Sequence, residues 1–254
     1  MSETPLAVAR QAAANEGREN VEFRLADLIV EGGGLGVFDV VLSMGVIHHL
    51  SDPAVGLRNL TCNLADDGFL FIYIYGRHGG RERMRRKKIV SLLLNGSHEF
   101  SRGITLIKEL GFDNFDYGWN LDFDDQESRD ALIVDAYLNV NERLFDVDRI
   151  FDLMRGSGLD RFLIYGVTLE KNGALFDTRL TKSMGLMTTD VNARLPSKTA
   201  KAAYESLSLL DKYRVFDQLF QPNGYTLMAF REGARRLIPG DGRIEANSLA
   251  VAEI

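Results

Sequence analysis

Apolar and polar positions change period several times along this chain, and each change marks an element. Leu6, Ala9 and Ala13 fall on one helical face, with Thr4 suited to an N-cap, Pro5 to the first helical position and Gly17 to a stop. Val21-Glu-Phe-Arg-Leu25 alternates as a short strand does and ends at Ala26-Asp27. Phe38 to Leu42 is a compact apolar run, too short for a helix, and fits a strand buried on both faces. Ser43 to Leu50 reads as a loop. Asp52-Pro53 then opens a helix to about Leu64, with Val55, Leu57, Leu60 and Leu64 inward. Asp66-Asp67-Gly68 is a turn, and Phe69 to Tyr75 has the strongest strand character in the sequence. Beyond it the pattern predicts helices over 81–94, 128–137 and 146–155, the last closed by Gly156 and Gly158. A strand from Arg161 to Val167, a long helix from Thr199 to Leu219 and a strand from Tyr225 to Phe230 complete the series. Helices alternating with apolar strands imply a parallel sheet covered by helices.

Composition narrows the class. With 254 residues, 45% of them hydrophobic, the chain can bury a core as one large α/β domain, or as one domain plus an appended lobe. No apolar run approaches the roughly 20 residues that cross a bilayer, and the N-terminus lacks the features of a secretory signal. Cys62 is the single cysteine, so no internal disulfide forms, and a cytoplasmic protein is expected. A net charge of −6 argues against nucleic acid as a partner. Arg77, Arg81, Arg83, Arg85, Arg86, Lys87 and Lys88 form a local basic cluster, read either as a solvated helix face or as a site for an anionic substrate. Gly32-Gly33-Gly34 marks a loop rather than a phosphate cradle, and the acidic stretch 113–130 reads as a surface connection without calcium-loop spacing.

Several segments, taken in order, resemble the class I S-adenosylmethionine-dependent methyltransferases. Asp27, then Phe38-Asp-Val-Val-Leu-Ser43 and Gly45-Val-Ile-His-His-Leu50, look like the third and fourth strand ends of that family. Leu64-Ala-Asp-Asp-Gly68-Phe-Leu-Phe-Ile-Tyr resembles the turn and fifth strand, and Ser2 to Ala9 the helix after the second strand. Asn139-Val-Asn-Glu142-Arg-Leu-Phe-Asp-Val-Asp resembles a segment of larger bacterial members. The likeness is close over residues 2–75 and loose beyond. It implies a Rossmann-like, doubly wound, mostly parallel sheet, incomplete at its N-terminus, with a helical substrate lobe. The expected divisions are 1–76 as a partial methyltransferase core, 77–160 as the mainly helical substrate region, 161–232 as closing core elements and 233–254 as a flexible tail.

In an open parallel sheet ligands bind beyond the carboxyl ends of the strands. By resemblance, Asp27 accepts from the adenine amino group and Leu28 offers its backbone N–H, while Ser43, Met44 and Gly45 line the adenosine. The alternative for Asp27 is a strand-end carboxylate capping a turn. His49 is the candidate general base, since imidazole titrates near neutrality; the bland alternative is a loop-positioning histidine. His48 and Tyr75 are candidate substrate contacts, with packing as the alternative for Tyr75. An adjacent histidine pair without further ligands at suitable spacing predicts no metal.

The family's first strand, its glycine-rich turn and its second strand have no counterpart in this sequence, which suggests N-terminal truncation. Val21 to Leu25 would then lack its hydrogen-bonding neighbours, so residues 1–36 are expected to dock poorly and cofactor affinity to be weak or absent. The resemblance implies methyl transfer from S-adenosylmethionine to a small-molecule or protein acceptor. A non-catalytic methyltransferase-like scaffold is the alternative, and a nicotinamide-dependent dehydrogenase ranks third because it requires the same glycine fingerprint.

Overall fold

The computed structural model describes residues 3–30, 32, 34–114, 125–159, 161–169, 173–176, 191–231 and 252–253. Its centre is a sheet of β1 (Phe38–Met44), β2 (Leu64–Tyr75), β3 (Arg161–Leu169), β4 (Gly173–Phe176), β5 (Gly224–Phe230) and β6 (Ala252–Glu253). The spatial order is β1-β2-β5-β3-β4, with β6 also on β3. β1 and β2 are parallel, while β5 runs antiparallel to both β2 and β3. β1, β2 and β3 therefore point one way and present their carboxyl ends along one edge, with the reversed β5 inserted between β2 and β3. This is the open Rossmann-like α/β sheet expected from the alternation of elements.

Helix α2 (Pro53–Thr61) makes the crossover from β1 to β2. It starts where expected because the Asp52 carboxylate accepts from Ala54 N at 3.0 Å and Val55 N at 3.1 Å ahead of the N1 proline. β2 begins at Leu64 rather than Phe69. The anticipated turn 66–68 lies inside an irregularity where β1 pairing jumps from Phe38↔Leu64 to Val40↔Phe69. Gly68 suits that bulge, since a Cβ there would stand 2.7 Å from the Asp39 carbonyl oxygen.

Between β2 and β3 lie α3 (Arg81–Leu94), α4 (Phe100–Glu109), α5 (Gln126–Ile133), a π turn (Val134–Leu138) and α6 (Val147–Arg155). The first four form a satellite lobe around Val90, Leu94, Ile107, Ile133, Ala136 and Tyr137. Helix α6 packs instead on the main core with Leu70, Ile72, Ile74, Phe162, Tyr225 and Leu227. Past β4 come α7 (Val191–Arg194), α8 (Lys198–Glu205) and α9 (Leu209–Phe220). Buried Asp217 on α9 accepts from the Tyr225 hydroxyl and lies 3.2 Å from His78 Nε2, pinning the helix to β5 and to the loop after β2.

Three expectations need correction. Val21 to Leu25 forms no strand; among the described residues no neighbour completes its ladder, and Val21 and Leu25 stay exposed. The helix 199–219 is two, because Ser208 Oγ accepts from Asp211 N at 3.1 Å and starts a second one. The helix 128–137 ends early and passes into the π turn at Val134. Helix α4 was not anticipated. Poor docking of residues 1–36 holds in part: α1 (Glu3–Asn15) buries no residue, whereas Asn59 Nδ2 donates to Leu28 O at 2.7 Å and holds the following turn on α2. The 233–254 tail lies outside the described residues apart from Ala252–Glu253, as do Gly33 and residues 115–124 of the acidic stretch.

Candidate functional site

β1 delivers the site. Its alternation turns Val41 and Ser43 inward, while Phe38, Val40, Leu42 and Met44 remain at least 41% exposed on the opposite face. The strand ends at Gly45, whose φ of +75° turns the chain and whose missing Cβ would meet nothing within 4 Å. A short 3₁₀ turn, Ile47–His49, then folds His48 beneath the carboxyl ends of β1 and β2. Among the described residues, the buried polar side-chain atoms without a hydrogen-bond partner are Ser43 Oγ and both ring nitrogens of His48. Buried polar atoms are rarely left unpartnered, so three of them at one strand end single this place out.

His48 stacks on the Tyr75 ring, centroids 3.8 Å apart at 29°. Burial, with repulsion from His49 as the next cause, lowers its pKa to about 3, so it is a neutral imidazole at physiological pH. His49 has a different setting. Its Nδ1 lies 2.9 Å from the Asn141 carbonyl oxygen and 2.9 Å from Asn139 Nδ2. The Asn139 amide is oriented by its Oδ1 accepting from Asn141 N at 3.2 Å. Nδ1 thus faces one acceptor and one donor, and either protonation state of that nitrogen is satisfied in place. The Nε2 side faces the Asp135 carboxylate at 3.5 Å, longer than a made hydrogen bond, and the same carboxylate accepts from the Tyr75 hydroxyl at 3.1 Å.

Residues 139–146 act as a strap that holds this arrangement. Arg143 N donates to His48 O at 2.9 Å, Phe145 N to Tyr75 O at 2.9 Å, and Arg77 N to Phe145 O at 2.7 Å. Glu142, with 1% of its side chain exposed, pairs with Arg83 and, at 2.6 Å, with Lys87. Burial pushes the Glu142 carboxyl up, but the hydrogen bonds and charges of those two cations outweigh it and hold it below the usual range. The basic cluster is therefore largely engaged: Arg85 and Arg86 share Glu82, and Arg77 meets Asp146 at 2.8 Å.

The structure brings Ser43, Met44, Gly45, His48, His49 and Tyr75 to one end of the sheet. Asp27 and Leu28 occupy a separate turn, in which Asp27 Oδ1 accepts from Ile29 N at 2.9 Å. Asp135, Asn139, Asn141 and Glu142 were not singled out from the sequence as site residues, and Arg83 was noted only as one of the basic cluster. For the strap the one available signal was the likeness of the 139–148 segment to a stretch of larger relatives, which carries no indication of what it touches. Among the described residues no group of His, Cys, Asp and Glu is arranged to hold a metal, and no helix is long and apolar enough to cross a membrane.

Residues 1–72 match the family described as methyltransferase domain. An uncharacterised protein of Synechococcus sp. is 27% identical over 162 residues, which cover 61% of this chain and 39% of that protein. PKMT2 from Rickettsia typhi superposes with a TM-score of 0.61 at 16% identity, over 98% of this chain and 45% of that one. Its structure in complex with AdoHcy gives a TM-score of 0.61 at 15% identity, over 95% and 45%. The chain spans less than half the length of these relatives, and at such identities the structural likeness establishes the fold.

Proposed function

We propose, since residues 1–72 carry a methyltransferase domain and the fold is that of class I S-adenosylmethionine-dependent methyltransferases, that this site transfers a methyl group to a small-molecule or protein acceptor lying against His49 and Tyr75. The observation that carries the reading is the set of three buried, unpartnered polar atoms on Ser43 and His48, next to a histidine provided for in either protonation state. They fit the adenosine of the cofactor, whose hydroxyl and amine groups donate and accept.

Bound there, the sulfonium supplies an activated methyl carbon. The protein's share is alignment and proton handling. Ser43 and His48 would hold the nucleoside, Gly45 admits it close to the backbone, and exposed Met44 gives it an apolar flank. Asp27 and Leu28 would meet the adenine edge. His49 takes the proton that the acceptor atom releases, Asp135 steadies the resulting imidazolium, and Asn139 and Asn141 keep the ring oriented. His48, buried and neutral, is a contact rather than a base.

Calorimetric titration of the complete native polypeptide with S-adenosylhomocysteine tests the cofactor half. One binding site is expected, weakened about three- to tenfold by Ser43→Ala, the worth of one hydrogen bond. His49→Gln should leave that affinity within about twofold and lower the rate of label transfer from methyl-labelled cofactor to a cell extract by ~100-fold or more. No binding by the complete polypeptide would sink the reading.

A further inference from the structure

A cavity of about 120 Å³ lies beside the site, between the end of β2 and the first turns of α3. Its wall includes Tyr73 and Tyr75 from β2, Glu82, Arg83 and Arg86 from α3, and Tyr137 from the π turn. Tyr75 belongs both to this wall and to the His48–His49 cluster, so an occupant of the cavity touches a side chain that also packs against the candidate methyl-transfer centre.

The charge around this cavity is opposite in sign to that of the whole protein. Arg83 and Lys87 share the single carboxylate of Glu142, and Arg85 and Arg86 share that of Glu82. Four cations on two carboxylates leave an excess of two positive charges, in a chain whose net charge is −6. Asp135, bonded to the Tyr75 hydroxyl and not on the wall, reduces the excess without cancelling it. Arg83 and Arg86 stand three residues apart on one helical face and are fixed from behind, over the Tyr75 ring at 4.8 Å and the Phe112 ring at 5.2 Å. Burial pushes the Tyr73 and Tyr137 hydroxyls up, so both remain neutral O–H groups able to donate. Two guanidinium groups and two phenols on this wall outnumber its one carboxylate, Glu82, which Arg86 already meets at 3.0 Å; Arg83 in turn donates to the Ala136 carbonyl at 3.2 Å. The volume is that of about four waters, which suits the end group of a small molecule rather than a whole one.

We infer that this cavity seats the negatively charged end, a carboxylate or a phosphate, of the methyl acceptor. The statement that the occupant is the acceptor rests on the methyl-transfer reading; the anion site itself does not. Arginine forks suit both oxyanions, and an ammonium group would meet two like charges there.

The test needs no cofactor, so it fails or succeeds separately from S-adenosylhomocysteine binding. Phenyl phosphate, benzoate and benzylamine are titrated into the complete polypeptide at fixed ionic strength and followed by amide and arginine side-chain NMR. Saturable shifts at Gly79, Gly80, Asn223 and the Arg83 and Arg86 Nε groups are expected with one or both anions and not with benzylamine. A preference between phenyl phosphate and benzoate identifies which oxyanion the acceptor carries. Arg86→Gln should weaken anion binding at least fivefold, while Arg81→Gln, exposed on the same helix and off the wall, should not. Shifts spread over all surface arginines, equal weakening by Arg81→Gln, or saturable binding of benzylamine would each overturn the inference.

Discussion

His48 is a base kept neutral by its surroundings. Removal from water, joined by the charges of His49 and Arg83 and opposed by Glu142, brings its pKa from 6.5 to about 3. In the unfolded chain the same ring titrates near its ordinary value, so between those limits the unfolded state binds a proton that the folded state does not. Stability from this residue is therefore complete above about pH 6.5 and is lost as the pH falls, by about 1.4 kcal/mol per pH unit, levelling off near the folded pKa. His48→Phe keeps an aromatic ring to stack on Tyr75 and removes the titration. Urea unfolding at pH 7 and pH 5 should show the native chain losing about 2 kcal/mol more than the variant over that interval. Equal losses would mean that His48 is protonated or hydrated in the folded state. Ser43, the other unpartnered group, does not titrate, and its contribution is read only through ligand affinity.

At the scale of elements, the strap 139–146 decides whether the site exists. It reaches His49 across some 90 residues of sequence through Asn139 and Asn141, and it anchors on α3 through Glu142. Glu142→Gln leaves Arg83 and Lys87, both largely buried, facing a neutral amide. A loss of about 2–3 kcal/mol in chemical unfolding is expected, less than for a fully enclosed pair because both cations keep some water. Periodicity and caps had shown α2, α3, α6 and β5, because Asp52-Pro53, the run from Arg81 to Leu94, Gly156 and Gly158 act on their own neighbours. The strap has no period, and its long-range bonds, three of them backbone to backbone and the others through side chains, reach partners far away in sequence, so nothing in residues 139–146 announces what they touch. The same limit explains the rest. Val21 to Leu25 has a strand's alternation but no partner, and Ser208 restarts a helix that a run of good helix formers had suggested was continuous. Of the site, Ser43, Gly45, His48, His49 and Tyr75 were visible because they cluster at strand ends, whereas Asp135 and Arg83 join them only through the tertiary fold.

For the whole molecule, the sheet divides the chain into parts of unequal stability. β2 is flanked on both sides, by β1 and β5, and β5 likewise by β2 and β3, with Leu70, Ile72, Ile74, Leu227 and Ala229 buried in the common core. Among the described residues β1 has β2 on one side only, and its face of Phe38, Val40, Leu42 and Met44 is open. Ahead of it, residues 27–36 are tied to α2 and its C-terminal turn by Asn59 and by Asn63, whose Oδ1 accepts from Leu35 N at 3.3 Å. Residues 3–25 are tied more weakly: α1 buries nothing, Arg10 Nη2 reaches the Phe23 carbonyl at 3.2 Å within the same segment, and an exposed contact from Arg24 Nη1 to Leu35 O is long at 3.5 Å. Opening free energies should follow this gradient, since local stability tracks buried contacts. Hydrogen exchange is expected to be slowest in β2 and β5, intermediate in β1, and close to that of an unstructured peptide over Val21 to Leu25. Removing residues 1–25 should then change the unfolding free energy by less than about 1 kcal/mol, a shift of at most ~2–4 °C in Tm for a chain of this size. Strong protection at Val21 to Leu25, or a larger fall in Tm on their removal, would mean that this segment pairs along the free edge of β1 and that the site has a further wall.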